Sequence, residues 1–267
     1  MKKLINYLVK NQNNIRDTIA IILLKLNILP KKFEGRVKAI HFKRKYDKDF
    51  KKLKIEYNQA GFYCLSPMPS ENYLTKYYSD TYWQSRTDKA YPIRLRDIEH
   101  IKLLKKKFPQ FDDTEKKVLN FGAGHGGISF FLHSNKHNIF NYEPGGMKDY
   151  FTERWNVLKD LSNINTKFDL IYGSHSLEHV QDIKKTLKLF ERISHKETIF
   201  FFEVPNCHSE SSQTIEPPHT YYFTRKFFDN FFLDHNYCKT YNNYQEEKNE
   251  EGEVIILISK SSIKKIN

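Results

Sequence analysis

Cysteine is scarce. The 267-residue chain has three, Cys64, Cys207 and Cys238, far apart and with no Cys-x-x-Cys pair. That excludes a zinc ribbon and a disulfide scaffold, and it favours a reducing, cytoplasmic setting. Long apolar runs are also missing. The stretch from Ile19 to Leu24 falls far short of the roughly 20 residues that span a bilayer, and no small-residue cleavage site marks a signal peptide. Acidic residues are outnumbered, 32 against 44 Lys and Arg, leaving a net charge of +12. A surface of that sign attracts anionic partners without choosing among nucleotides, phosphorylated sugars, nucleic acid or acidic membranes. With 39% hydrophobic residues, there is material for one sizeable core and a small appendage.

Residues 1–60 are basic and helix-prone. Ile15, Ile19, Ile22, Leu23 and Leu26 recur at helical spacing, and Pro30 should end that helix. The expected role of this extension is packing on the domain or on a second copy, so an oligomer stays open; docking to a membrane surface or a partner protein is the alternative. The Lys-rich stretch from Lys43 to Lys54 reads as a solvated face. Residues 61–267 are expected to form the main domain, with an aromatic N-terminal cap over 61–110. Tyr63, Tyr73, Tyr77, Tyr78, Tyr82 and Trp83 cluster there around Pro67 and Pro69. A helix is predicted over 93–108, with Ile93, Ile98, Ile101, Leu104 and Phe108 on its apolar side.

From residue 117 strands and helices alternate. Strands are predicted at 118–121, 139–142, near Val157, at 168–172 and at 198–204, with helices over 126–135 and 183–194. Repeated βα units imply a Rossmann-like, doubly wound α/β fold with a mostly parallel sheet. The tail differs: a helix near 224–234, then strands at 239–244 and 254–259 that read as a hairpin. Such a hairpin adds an antiparallel strand to an otherwise parallel sheet.

The chemistry concentrates at the carboxyl ends of the strands, where ligands of open α/β sheets bind. Gly122-Ala123-Gly124-His125-Gly126-Gly127 follows the first strand, and glycine lets a backbone turn sharply and approach a ligand. Glu143 ends the next strand, about 20 residues on, where a carboxylate can accept two ribose hydroxyls. By themselves these features fit a dinucleotide equally well.

The sequence after the fourth strand separates the two. Phe168-Asp169-Leu170-Ile171 followed by Leu177-Glu178-His179-Val180 resembles the signature of class I S-adenosylmethionine (SAM) methyltransferases. The resemblance is strongest to ubiquinone-pathway O-methyltransferases and to methyltransferases of surface-glycan and antibiotic pathways. Val118 to Gly124 is similar to the family's first motif, Phe201 to Asn206 to its fifth strand, and His219 to Thr224 to its His…Phe-Thr segment. The likeness covers about residues 61–260.

The resemblance implies SAM as cofactor, with Gly122, Ala123 and Gly124 at its backbone and Glu143 at its ribose. Arg94 would pair with its carboxylate, a charge-assisted contact. Asp160 and Leu161 match the adenine-contacting segment, and Ser174 and His175 would line the cofactor. Asn120 stands where the family usually has Asp or Glu; it can hydrogen-bond but brings no charge near the sulfonium. For a hydroxyl acceptor a base is needed, and histidine titrates in the right range; His179 or His219 is the candidate. No metal ligand set is expected.

The acceptor side lacks the Asn/Asp-Pro-Pro-Tyr/Phe of base N-methylating enzymes and the Pro-Cys of cytosine C5 enzymes, so nucleic acid is disfavoured. A small or sugar-linked, anionic acceptor carrying a phosphate or nucleotide fits the charge. Two other readings stay open: an NAD(P)-binding oxidoreductase, and a non-catalytic module that keeps the fold as a partner for another enzyme.

Overall fold

The computed structural model describes residues 43–44, 54–78, 94–124, 126–144, 156–208, 214–215, 219–232, 238–247, 252–260 and 263–264. The helix expected before Pro30, with its membrane or partner contact, lies outside these residues, as do Tyr82, Trp83 and His125.

Strands β1 (Lys54–Asn58) and β2 (Phe62–Ser66) form an antiparallel hairpin whose turn contains residue 60, the expected end of the helical extension. Lys54-Ile55-Glu56-Tyr57 alternates polar and apolar residues, a strand period hidden in a Lys-rich run. Helix α1 (Glu71–Lys76) follows, with Ser70 Oγ accepting from Tyr73 N, an N-cap that satisfies an otherwise orphaned donor. Helix α2 (Leu95–Lys107) is next. Its buried side is Asp97, His100, Ile101 and Leu104, whereas Ile98 is exposed. The face is therefore rotated from the apolar stripe expected over 93–108, because two polar side chains have buried partners. Asp97 Oδ2 accepts from Arg94 N at the helix start, and His100 bonds to Tyr172.

The alternating part is built as its pattern predicts. Strand β3 (Lys117–Phe121), helix α3 (Gly127–Ser134), β4 (Asn138–Tyr142), β5 (Asn156–Leu158), β6 (Phe168–Ser174), helix α4 (Ile183–Ile193) and β7 (Ser194–Pro205) follow in order. A short strand β8 (Tyr221–Phe223), helix α5 (Arg225–Phe231), β9 (Cys238–Asn242), β10 (Gln245–Glu246) and β11 (Val254–Lys260) complete it. The main sheet runs β10-β9-β11-β7-β6-β3-β4-β5. From β5 to β7 neighbours are parallel; β11 pairs antiparallel with both β7 and β9.

Strands buried on both faces need apolar residues at successive positions, and these have them. Leu119, Phe121, Phe200, Phe202, Ile255 and Leu257 face one core with Leu187, Phe190 and Ile193 of α4. Val118, Leu170, Tyr172, Phe201, Ile256 and Ile258 face the other, with Ile101 and Leu104 of α2 and Ile128 and Leu132 of α3. Each large side chain so buried is worth about 1.5–3 kcal/mol. The sheet is thus covered on both sides, and its polar groups are free to collect at the strand ends. A second sheet, β8-β2-β1, lies over the first core. Phe62 of β2 meets Tyr221, Phe223 and Phe227 edge-on.

Candidate active site

The chain runs outward from β3 to β4 and β5, then returns to β6 on the other side of β3. The carboxyl ends of β3 and β6 therefore flank a topological switch point, the place where open α/β sheets bind ligands. A cleft of about 910 Å³ opens there. It is lined by all twelve residues singled out from the sequence: Arg94, Asn120, Gly122, Ala123, Gly124, Glu143, Asp160, Leu161, Ser174, His175, His179 and His219.

One half of the cleft is held by backbone. Gly122 N and Ala123 N both donate to Tyr142 O, at 2.8 and 2.9 Å, which curls the loop over the end of β4. Gly122, Gly124 and Gly126 all have positive φ, at 71°, 54° and 71°, where a side chain is strained. At Gly122 a Cβ would also lie 2.5 Å from Ser176 Cβ. Glu143, 7% exposed, accepts from Gly124 N at 2.9 Å. The loop and the carboxylate thus fix one another. Burial, with Glu143 next in line, pushes the Tyr142 phenol up to about 12.

Asn120 is not a bare substitution for an acid. Its Nδ2 donates to Ser129 Oγ at 2.9 Å and to Asn141 Oδ1 at 3.2 Å, and Ser129 Oγ donates to Asn141 Oδ1 at 2.6 Å. This buried triad ties β3, α3 and β4 together beneath the glycine loop. A carboxylate at position 120 would have no proton for either partner; the amide does.

At the far edge, Leu161 is buried while the Asp160 carboxylate accepts from Ser162 N at 2.9 Å and from Ser162 Oγ. Arg192, in the last turn of α4, donates to the carbonyls of Leu161, Ser162 and Ile164. It fixes the 160–164 turn as a wall of the cleft.

The other half is held by side-chain charge. Glu178 and Glu203 are each 1% exposed. Burial alone would raise both carboxyls. For Glu178 the His175 hydrogen bond and the charges of His179, His175 and His219 outweigh it and hold the group at about 2. For Glu203 the His100 bond, with His175 and Arg96, does the same, again to about 2. His175 bridges the two, with Nδ1 3.2 Å from Glu178 and Nε2 3.5 Å from Glu203. Burial would lower it, but the Glu178 bond and both carboxylates raise it above the ordinary imidazole value.

His179 and His219 lie forty residues apart in sequence, yet their ring centroids are 4.7 Å apart. Thr220 makes the junction. Its backbone N donates to Glu178 O at 2.7 Å, and its hydroxyl reaches the carbonyls of Glu178 and Val180. Tyr78 packs edge-on against His179 at 5.7 Å. Glu178, His179 and His219 each place one ligand-capable atom within 4.8 Å of the others, a donor set that could hold a divalent cation and that sequence spacing did not flag.

Two of the cleft-lining residues also belong to its frame. Ser174 Oγ donates to Glu203, so the side chain is committed beneath the cleft. Arg94 stands at the N-cap of α2, and the arginine two residues on, Arg96, has its Nε 3.8 Å from Glu203. Arg96, His100 and Glu203 escaped sequence reading. The available signals were a lone acid inside the apolar strand 198–204 and a histidine on the buried side of a helix, since such groups are rarely buried without partners.

A family model described as a methyltransferase domain matches residues 94–247, more than half of the chain. The chain belongs to this methyltransferase family. Among solved structures it is similar to 1,6-didemethyltoxoflavin-N1-methyltransferase from Burkholderia thailandensis, crystallised with bound 1,6-didemethyltoxoflavin and S-adenosylhomocysteine (SAH), at 12% identity and TM-score 0.50, covering 76% of this chain and 96% of that one. A SAM-dependent methyltransferase and possible histamine N-methyltransferase from Thermotoga maritima matches at 16% identity and TM-score 0.48, covering 71% and 99%. A third, from Clostridium acetobutylicum, matches at 15% and 0.45, covering 72% and 98%. No curated protein matches the sequence. Among the described residues no helix is long and apolar enough to cross a membrane.

Proposed function

We propose that this methyltransferase transfers a methyl group from SAM to a hydroxyl of a small or glycan-related acceptor that carries a phosphate or nucleotide. The observation that carries the reading is the meeting of two half-sites in one cleft: the glycine loop bonded to Glu143, and the paired rings of His179 and His219. The residues fit the cofactor. The left-handed loop brings backbone close to a ligand without side chains, and Glu143, which accepts from Gly124 N, presents its carboxylate at the cleft wall where ribose hydroxyls would lie. Leu161, on the wall held by Arg192, offers an apolar surface for adenine. Bound there, SAM supplies an electrophilic methyl carbon on a sulfonium.

The protein's own work is then positioning and proton removal. The acceptor oxygen attacks in line as the carbon–sulfur bond breaks, and the hydroxyl proton passes to His179 or His219. Glu178, ionised and buried beside both rings, favours the imidazolium that results. Asn120 has a structural task in its triad, which accounts for an amide at that position. The net charge of +12 supports an anionic acceptor, and the three free cysteines support a cytoplasmic setting.

The test is label transfer from methyl-labelled SAM to nucleotide-linked sugars and small hydroxylated phosphates. Label in a small, nuclease-resistant product is expected, and H179A or H219A should lower turnover by roughly 100-fold or more. Turnover should survive a chelator; its loss would mean that Glu178, His179 and His219 work through a cation instead. Label that disappears on nuclease treatment, or none at all despite bound SAH, would reject the reading.

A further inference from the structure

We infer that Glu203 is a positioning residue: it sets the conformation of His175 at the mouth of the cleft and docks helix α2 beside it. The inference rests on the reading that the cleft holds SAM. Glu203 sits near the carboxyl end of β7, 1% exposed, and gathers groups from three elements. From β6, Ser174 donates its hydroxyl. From α2, His100 Nε2 lies 3.4 Å away and Arg96 Nε 3.8 Å away. From the loop after β6, His175 Nε2 lies 3.5 Å away. The same residue is gripped by backbone, His175 N donating to Glu203 O at 2.9 Å.

His175 needs such a grip. Its φ is 50°, a left-handed conformation that is strained for a side-chain-bearing residue and persists only where surroundings over-determine it. Ring and backbone both point back to Glu203, and the second ring nitrogen is taken by Glu178. The α2 side is equally committed. The Tyr172 hydroxyl lies 2.7 Å from His100 Nδ1. The other ring nitrogen of His100, Nε2, faces Glu203 at 3.4 Å. Arg94, at the start of α2, and His175 both line the cleft, so one carboxylate holds two of its walls. A neutral group at position 203 keeps the Ser174 contact but loses the charge that Arg96 and His175 face.

The test compares E203Q with E197Q, a control on the same strand whose carboxylate pairs at the surface with Lys260. Losing charge-assisted contacts should raise KM for SAM about tenfold in E203Q while kcat changes about twofold or less. E197Q should match the wild type. In ¹⁵N-histidine spectra without SAM, the His175 ring signals should move in E203Q while those of His137, on the opposite end of the sheet, stay put. Should E203Q fail to fold, S174A, which removes one bond and keeps the charge, should raise KM in the same direction by a smaller factor. Wild-type KM and unmoved His175 signals in E203Q, or in S174A if that variant must stand in, would overturn the inference while leaving SAM binding intact. Absence of SAM binding by the wild type would sink both.

Discussion

The two halves of the cleft are built from different materials. The loop of β3 and the end of β4 are joined by main-chain bonds, Gly122 N and Ala123 N to Tyr142 O, and by one side chain, Glu143, that bonds back to the loop. The half beyond β6 is joined by charge: two buried carboxylates, Glu178 and Glu203, and the histidines around them. A backbone-built site tolerates changes of side chain but not of backbone conformation. A charge-built site should show the reverse, together with a dependence on pH.

The charge-built half is most sensitive at Glu178. E178A leaves His175 and the His179–His219 pair without their common counter-charge. Removing one partner of a buried pair costs about 3–5 kcal/mol, so urea unfolding should show that loss. Turnover should fall far more than affinity for SAH, because the glycine loop is untouched and Glu203 still holds His175. Equal losses in both would mean that the halves are not separable.

Acid should act on the same half. The Glu203 carboxyl is held at about 2, from an ordinary 4.5. A depressed carboxyl contributes stability above its unfolded value and loses it as pH falls through the folded one. Stability should therefore drop between about pH 4.5 and 2, by at most about 3 kcal/mol from this group. In E203Q the slope of unfolding free energy against pH over that window should flatten, and an unchanged slope would contradict the assignment.

The backbone half is sharpened by G122A. A Cβ there is forced to a positive φ and against Ser176, a strain of about 1–3 kcal/mol. SAH affinity measured by calorimetry should fall roughly 10- to 100-fold, and shortening the opposing side chain in a G122A/S176G double variant should recover only part of it, since the φ remains. The smallest effect is expected at Thr220, the staple within the charge-built half. T220V removes the hydroxyl bonds to Glu178 O and Val180 O but keeps the main-chain one, costing about 1–2 kcal/mol. It should slow methyl transfer by separating His219 from His179, with SAH affinity unchanged.

The same contrast explains what could be read in the sequence. A backbone site is local: a glycine loop after an apolar strand, an acid at the end of the next, each within one βα unit. The strands of the parallel sheet and the closing hairpin were equally visible, because their alternation and flanking turns are short-range. The hairpin at 54–66 was hidden by the lysines around it, and the buried side of α2 by its own polar partners, Asp97 and His100. The charge-built half depends on residues that meet only after folding. His179 and His219 could be nominated singly, but Thr220, which brings them together, and Glu203, which anchors His175, have meaning only once β6, β7 and β8 are in place.

The most direct test of the account is a calorimetric titration of the full chain with SAH and, separately, NADH, repeated on E143A. Saturable SAH binding, weakened at least tenfold in E143A by loss of the ribose contact, with no heat from NADH, is the predicted result. Binding of NADH alone, or SAH binding indifferent to Glu143, would contradict it.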